Sequence, residues 1–260
     1  MPAAEPFGGD AELLFAAVRE AGALALSLQG PSLRRWRKAD DSPVTEADLA
    51  VDALLRERLA VARPTYGWLS EETPDGAGRL AAEALWIADP IDGTRSFAEG
   101  GDCWCVAVAL VRAGRPCLAA IYRPATEEFF SAIAGQGARR NGDAIAARDG
   151  GLSGARVIGT RKALALFDGH PIAGAAPGAL PLQLRLAAVA SGVVDGAISL
   201  GHKNDWDLAA GDLLVEEAGG RACSLAGETF VYNRRESWQQ GLLAAGANRH
   251  RALIGIIAKT

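Results

Sequence analysis

The sequence predicts an α/β fold in which an α+β N-terminal part is followed by an α/β C-terminal part. Three patterns support this prediction. Apolar residues at helical spacing fill residues 10–28 and continue from Thr45 toward Pro64. Short apolar runs separated by Gly, Pro and charged pairs occupy the middle of the chain. From residue 157 onward, strand-like runs alternate with helix-like runs, as in an α/β layer.

The N-terminal part has clear start and stop signals. Gly30-Pro31 ends the first helix. Thr45 is the expected N-cap of the second helix, and Asp48 is the expected partner acid of a capping box. Four strands are then predicted, the last three as an antiparallel meander, at residues 85–88, 105–111, 117–122 and 128–134.

The C-terminal part is predicted to begin with a strand near Val157 and a long loop over residues 168–181. Helices and strands then alternate, at residues 182–191 (helix), 196–200 (strand), 206–218 (helix), 241–245 (strand) and from there to Lys259 (helix). We expect a hinge around residues 137–150. It would divide the chain into an N-terminal domain, 1–138, with most metal ligands, and a C-terminal domain, 139–260, with the substrate pocket.

Composition narrows the class of protein. The chain is 49% hydrophobic and 22% charged, with a net charge of −4, as expected of a globular protein. The only basic run is 34-RRWRK-38, so no nucleic-acid partner is expected. We expect no membrane span, no signal peptide and a cytoplasmic location. The four cysteines lack paired spacing and nearby histidines, which favours reduced core thiols over a zinc site.

The segment 86-WIADPIDGT-94 carries the strongest chemical signal. Asp89 and Asp92 follow an apolar run, and Pro90 between them is expected to stop strand pairing and turn the chain. Two carboxylates this close repel each other unless a cation lies between them. A hard divalent ion with oxygen ligands is the simplest partner. The Gly93 and Thr94 amides could face an anion.

Two further acidic segments support a metal site. Glu71 lies in 70-SEET-73 after an apolar run, and Asp207 lies in 205-DWDLAAG-211 where a helix opens. Each has an ordinary structural explanation: a solvated acidic pair, a helix N-cap, or an Asx turn for the two aspartates of the first segment. Their joint occurrence, on three segments that leave a strand or enter a helix, favours a shared site.

Four segments in order resemble the inositol monophosphatase superfamily of Mg²⁺-dependent, lithium-sensitive phosphomonoesterases. They are Lys38 with 42-SPVTEAD-48, 68-WLSEET-73, 86-WIADPIDGT-94 and 206-WDLAAGDLLVEEAGG-220. The resemblance implies a layered α-β-α-β-α sandwich of the inositol monophosphatase and fructose-1,6-bisphosphatase type. It also implies a cluster of two or three Mg²⁺ ions between the two domains.

By this resemblance, one ion is held by Glu71, Asp89 and the carbonyl of Ile91. A second is held by Asp89, Asp92 and Asp207, and Glu71 also serves a third, weaker site.

The resemblance also assigns catalytic roles. Thr94, Glu71 and Asp48 orient the water that attacks phosphorus, and the amides of Gly93 and Thr94 hold the phosphate. No covalent intermediate is implied. The implied binding partner is a small phosphate ester. A homodimer is possible, because family members are often dimers.

Substrate choice rests on the segment before Asp207. Inositol-specific members of the family carry a Glu seven residues before this aspartate, where this chain has Leu200. Four residues between Gly201 and Trp206 resemble instead the 3′(2′),5′-bisphosphate nucleotidase branch, which acts on adenosine 3′,5′-bisphosphate in sulfate assimilation. Lys38, His202 and Asn204 are candidate substrate contacts.

Several alternatives stay open. Inositol monophosphate, a sugar phosphate or histidinol phosphate are competing substrates, and a metal-binding scaffold without catalysis is a competing function. Gly178-Ala179 stands where relatives often have Gly-Ser, which leaves the leaving-group pocket in doubt.

Overall fold

The computed structural model of the protein describes residues 9–38, 41–175 and 180–259. It confirms a mixed α/β fold in which helices and sheets form alternating layers. The predicted Gly178-Ala179 position lies outside the described residues. None of the described helices combines the length and apolarity needed to cross a bilayer.

The described residues form seven α-helices, which we number in chain order. They are α1 (Asp10–Leu28), α2 (Glu46–Ala62), α3 (Thr94–Ala98), α4 (Arg161–Leu164), α5 (Leu182–Ala190), α6 (Ala209–Glu217) and α7 (Ala247–Ile257).

The strands form a hairpin and two larger sheets. The hairpin pairs β1 (Arg35–Arg37) with β2 (Pro43–Thr45). The first sheet has seven strands, which pair in chain order: β3 (Gly67–Ser70), β4 (Ala84–Asp92), β5 (Cys105–Arg112), β6 (Arg115–Arg123), β7 (Glu128–Ile133), β8 (Ala138–Arg140) and β9 (Asp143–Ile145).

The second sheet has five strands in the order β11-β10-β12-β14-β13. Their bounds are β10 (Ala155–Ile158), β11 (Ile172–Ala175), β12 (Gly196–Asn204), β13 (Gly220–Cys223) and β14 (Trp238–Gly246). β10 is parallel to both its neighbours, whereas β14 is antiparallel to both of its own.

Burial explains the layers. Side chains on one face of the first sheet, such as Trp86, pack with α1 and α2 through residues such as Leu14 and Leu55. Side chains on its other face pack with α5 and α6, in a core that also takes in the second sheet. The outer face of the second sheet packs with α7 through Leu253. This is the predicted α-β-α-β-α sandwich.

Most predicted elements are confirmed. The helix over 10–28 is present with those bounds. Thr45 caps α2, with Asp48 completing the capping box. The antiparallel meander of β5, β6 and β7 is also present. The division of the chain at residue 138 stays a prediction.

Three predictions needed correction. The loop over 168–181 contains β11, a short run of small residues that becomes a strand only by pairing with β10. The strand predicted over 196–200 continues to Asn204, because β14 supplies backbone partners past a bulge. The helix predicted from Trp206 begins at Ala209 after a 3₁₀ turn, because Leu208 has φ −123°.

A buried ion pair fastens α6 to the first sheet. The Arg115 guanidinium donates to Asp212 Oδ2 at 3.2 Å and to the Phe230 carbonyl at 2.7 Å. The Tyr232 hydroxyl donates to the same Asp212 oxygen at 3.0 Å. Burial raises the pKa of Asp212 to about 6, although Arg115 and Tyr232 oppose the shift. These contacts fix the helix that directly follows the Asp207 turn.

We expect Arg115→Gln to destabilise the protein by about 3 kcal/mol, because it leaves a buried carboxylate without its cation. Tyr232→Phe removes one hydrogen bond and should cost about 1 kcal/mol. Urea unfolding at pH 7.5 measures both values. Arg139→Gln, at an exposed arginine on β8, is the control and should be near neutral. Equal stabilities of the Arg115 and Arg139 variants would contradict this account of α6.

Candidate active site

The predicted acidic segment lies at the end of β4. Asp89 pairs with Ala107 and Asp92 pairs with Cys105 on β5, with a register shift between the two pairs. The strand therefore bulges at Pro90 and resumes, whereas the sequence predicted that pairing would stop there. The extra residues of a bulge re-aim neighbouring side chains, so two carboxylates leave the strand close together.

Asp89 is the most constrained acid of the group. Its side chain is buried, and its Oδ1 atom has no hydrogen-bond partner among the described residues. Burial raises its pKa well above the ordinary value, and the negative charges of Asp92, Glu71 and Asp207 raise it further. Such an orphaned buried oxygen is costly unless a partner supplies the missing contact.

Asp92 and Asp207 approach the same region from different segments. Asp92 Oδ2 accepts the Gln183 N–H at 2.7 Å, and Asp207 Oδ2 accepts the Asn204 N–H at 2.8 Å. Burial raises the pKa of Asp92 to about 7 and that of Asp207 to about 6. Asp92 and Asp207 each raise the pKa of Asp89, so the structure brings these three predicted ligands into one electrostatic cluster.

The Gly-Thr pair after Asp92 is fixed by sterics and hydrogen bonds. Gly93 has φ +102°, and a Cβ there would lie 2.6 Å from the Cys103 carbonyl oxygen, so only glycine fits. Thr94 Oγ1 lies 3.0 Å from both Asp48 Oδ1 and the Ile91 carbonyl oxygen. A hydroxyl has one proton, so it donates to one of these acceptors at a time and leaves its lone pairs available.

Asp48 is held from the other side by the helix cap. Its Oδ2 accepts the Thr45 N–H at 2.8 Å and the Thr45 hydroxyl at 2.6 Å. Burial raises the pKa of Asp48, while the bonds from Thr45 and Thr94 lower it. The capping box thus holds the Asp48 carboxylate in contact with the Thr94 hydroxyl. This contact cannot be predicted from the role of Asp48 as a helix-capping residue alone.

Glu71 follows β3, beside the end of β4. Its Oε1 lies 2.8 Å from Lys38 Nζ, and Glu72 Oε1 lies 2.7 Å from the same nitrogen. Burial raises the pKa of Glu72 to about 7. The family resemblance singled out Glu71 of this acidic pair. The burial of Glu72 was not predicted, because adjacent acids on a loop give no sign of which one is buried. Lys38 is therefore an ion-pair partner here, and its substrate contact stays a prediction.

The other candidate substrate contacts lie on the extended end of β12. The exposed His202 ring stacks on Trp238, with centroids 4.0 Å apart. Asn204 supplies the backbone N–H that bonds Asp207. The roles of both residues in substrate binding stay predictions.

A sizeable cavity opens beside Asp92 and Gly93. It has a volume of about 650 Å³, and its wall includes Arg95, Glu99 and Arg185. Arg185 donates through Nε to the Leu180 carbonyl at 2.8 Å, and the charge of Asp92 acts on it. The sequence analysis did not identify these two arginines. An arginine within the apolar run 182–190 was the available signal for Arg185.

The donor chemistry fits a hard divalent cation. The cluster offers only oxygen atoms, and one of them, Asp89 Oδ1, is buried without a partner. Within the described ranges, however, no three acidic, histidine or cysteine side chains close around a common point. Glu71 is engaged by Lys38, so it would exchange the ammonium for an ion on metal binding.

Comparison with known proteins identifies the family and agrees with the fold. The profile of the inositol monophosphatase family matches residues 10–259. A histidinol-phosphatase from Chlorobaculum parvum is 34% identical over 95% of this chain and 96% of its own length. The 3′(2′),5′-bisphosphate nucleotidase CysQ of Aggregatibacter actinomycetemcomitans is 32% identical over 77% of this chain and 79% of its own.

Solved structures give the same picture. The extragenic suppressor protein suhB from Bartonella henselae superposes with a TM-score of 0.79 at 26% identity, covering 95% of this chain and 98% of that one. An IMPase/NADP phosphatase complexed with Mg²⁺ and phosphate superposes with a TM-score of 0.82 at 21% identity, covering 94% and 93%. The latter likeness concerns the fold.

Fold and site together define a hydrolase of phosphate monoesters. The chain belongs to the inositol monophosphatase family, as the sequence motifs predicted. Members of this family are metal-dependent. The relatives carry inositol, histidinol and nucleotide phosphatase names, so family membership leaves the substrate to the details of the site.

The acidic cluster predicts an inverse pH dependence of stability without metal. Asp92 and Glu72, each with a pKa of about 7, bind more protons in the folded protein than in the unfolded chain. Stability is therefore lost as the pH rises through 7. In EDTA, we expect the melting temperature to fall between pH 6.5 and 8.0. This window lies above the range in which His250, with a pKa lowered to about 4, acts in the opposite direction.

Mg²⁺ should reverse most of this loss, because an ion bound only by the folded state stabilises it. The measurement is thermal unfolding at both pH values with EDTA, with Mg²⁺, or with KCl at matched ionic strength. A melting temperature at pH 8.0 that Mg²⁺ and KCl raise equally would argue against a metal site.

Proposed function

We propose that this protein is a Mg²⁺-dependent 3′(2′),5′-bisphosphate nucleotidase, which converts adenosine 3′,5′-bisphosphate and water to AMP and phosphate. One observation carries the proposal. Two basic side chains, Arg185 and Lys203, lie within electrostatic range of the predicted metal ligands Asp92 and Asp207. A second phosphate on the substrate would give these cations a further anionic partner when Mg²⁺ neutralises the two carboxylates.

The basic pair suits a second phosphate. Burial lowers the pKa of both side chains, which means that each loses hydration and gains from an anionic partner. Among the described residues, Arg185 donates only through Nε, and its two terminal nitrogens make no hydrogen bond. Guanidinium N–H pairs match phosphate oxygens well.

The position that reads a ring hydroxyl in inositol-specific relatives is apolar here. Leu200 packs at the edge of the core under α7, and its carbonyl accepts a bond from Lys203 Nζ at 3.0 Å. A site without an acceptor for a polyol hydroxyl loses the discrimination which that bond provides. This favours a nucleotide over inositol phosphate.

The chain's own residues would act on the attacking water and on the phosphate. Thr94 Oγ, whose proton is held by Asp48 or the Ile91 carbonyl, can accept a hydrogen bond from a water and so orient a lone pair toward phosphorus. Amides at the Gly93 turn face the phosphoryl oxygens. The new bond joins water oxygen to phosphorus, the bond to the 3′-oxygen breaks, and that oxygen leaves with a proton.

Glu71, Asp89, the Ile91 carbonyl, Asp92 and Asp207 would hold the Mg²⁺ ions. When bound, Mg²⁺ would neutralise phosphoryl charge, lower the pKa of the water and stabilise the leaving oxygen. Asp89, with its unpartnered buried oxygen, is the residue best prepared for this role.

We expect Asp92→Asn to reduce kcat/KM by at least about a thousandfold, because one ligand charge is lost at the reacting phosphate. The Gln183 N–H can still donate to the new amide oxygen, so the fold should persist. Without metal at pH 8.0, the variant should melt at or above the wild-type temperature, since one repelling charge is gone. Asp102→Asn, at a nearby exposed acid, is the control. Near-wild-type turnover by the Asp92 variant would refute the assigned role.

Substrate identity is tested with three phosphate esters and Mg²⁺: adenosine 3′,5′-bisphosphate, inositol 1-phosphate and histidinol phosphate. We expect the nucleotide to have the highest kcat/KM. Arg185→Gln should raise KM for the nucleotide by about 10- to 100-fold, as for loss of a charge-assisted bond, and affect inositol 1-phosphate much less. Arg251→Gln, at an exposed arginine on α7, is the control. A preference for inositol 1-phosphate, or equal losses on both substrates, would contradict the proposal.

Histidinol phosphate is the second candidate, for two reasons. The Chlorobaculum parvum relative matches nearly the whole chain. In addition, the Glu99 carboxylate lines the cavity beside Asp92, and it forms no ion pair with a described residue, so it could receive the ammonium group of histidinol. The same panel decides between the two.

A further inference from the structure

A second cavity lies next to the one beside Asp92. It has a volume of about 310 Å³ and lies between the β1–β2 hairpin and α3. The hairpin contributes Arg35, Trp36 and Arg37 to its wall, and α3 contributes Arg95 and Glu99. None of the hairpin side chains in this wall is a predicted metal ligand.

The Trp36 indole is the unusual feature of this cavity. Its residue is 45% exposed, whereas Trp86 and Trp104 of the same chain are fully buried. The hairpin itself is well anchored: Trp36 pairs with the buried Val44, and the backbone N–H of Lys38 bonds the Ser42 carbonyl at 2.9 Å. Trp36 is thus a half-exposed aromatic residue at the edge of a cavity, on a backbone that the hairpin hydrogen bonds hold in place.

Charge makes the cavity attractive to anions. Three arginines and one glutamate line it. Arg37 is paired with Asp41 at 2.9 Å, but the Arg95 side chain makes no hydrogen bond or ion pair with any described residue. Arg95 and Glu99 also line the cavity beside Asp92 and Gly93, so the two cavities share a wall. A ligand held at the metal site can therefore extend past Arg95 toward Trp36.

We propose that Trp36 forms the base-binding subsite of this enzyme, on which the adenine ring of the bound nucleotide stacks while Arg95 lines the passage from the ribose. This inference rests on the proposed function. A nucleobase can stack on an indole face without hydrogen bonds to the edge of the base. Guanidinium groups beside the indole attract the phosphates of the same ligand. Of these two cavities, Arg185 lines only the one beside Asp92 and Trp36 lines only the one at the hairpin, so a phosphate at Arg185 and a base at Trp36 would occupy different cavities.

The first test is kinetic and compares a substrate with a base and one without. Trp36→Ala should raise KM for adenosine 3′,5′-bisphosphate about tenfold or more, as for loss of one base–aromatic stack, with kcat nearly unchanged. KM for glycerol 2-phosphate should stay within twofold of wild type. Trp36→Phe should recover most of the loss. Leu26→Ala, at an apolar residue on α1 with a similar exposed fraction, is the control for general surface effects.

Equal KM values for wild type and Trp36→Ala on the nucleotide, or equal losses on both substrates, would overturn the subsite. A wild-type protein that releases no phosphate from the nucleotide would overturn the proposed function instead. In that case binding of AMP is measured by calorimetry with Mg²⁺ present. Weaker AMP binding to Trp36→Ala than to Leu26→Ala would still support the subsite, and equal or undetectable binding would overturn it as well.

Discussion

Repulsion among buried carboxylates is the constraint on which this structure depends. The charges of Asp92 and Asp207 raise the pKa of Asp89, the charge of Asp207 raises that of Asp92, and among the described residues Asp89 Oδ1 has no hydrogen-bond partner. A protein gains no stability from such a cluster, because each buried charge loses hydration. The arrangement makes physical sense when a hard cation completes it. The surrounding helices and sheets must therefore hold the acids in place against this repulsion.

Three separate devices do so. The bulge in β4 aims Asp89 and Asp92 from a strand buried within the first sheet. The backbone N–H of Gln183, at the start of α5, bonds Asp92 from the layer between the sheets. The 3₁₀ turn before α6 carries Asp207, and the Arg115–Asp212 ion pair fastens that helix to the first sheet. Asp89 and Asp92 come from one strand, but the contact that holds Asp92 comes from α5 and Asp207 comes from the turn before α6, so the full cluster forms only when these elements have packed together.

Basic side chains form a rim around the acidic cluster. Arg185 and Arg95 line the cavity beside Asp92, Lys203 lies within electrostatic range of Asp207, and Arg95 also lines the neighbouring cavity with Trp36. A phosphate monoester of a neutral alcohol, with its one phosphate at the metal site, would use little of this rim. A substrate with a second phosphate and an aromatic base would use both cavities, which is why the nucleotide proposal and the Trp36 proposal belong together. The family fold accounts for the hydrolytic chemistry, and in our proposal the rim selects among phosphate esters.

The sequence by itself predicted the mixed α/β fold, because helices and strands depend on local periodicity. Its four ordered motifs, through their resemblance to the family, implied the family and the layered sandwich and singled out the candidate acids. Asp48 is the best example: its capping box was evident from 45-TEAD-48 alone. Only the tertiary structure decided which acids are buried, that Lys38 bonds Glu71 and Glu72, and that Arg95 and Arg185 line one cavity. Burial and charge pairing involve residues far apart in the chain, such as Arg115 and Asp212. No local sequence pattern encodes such contacts.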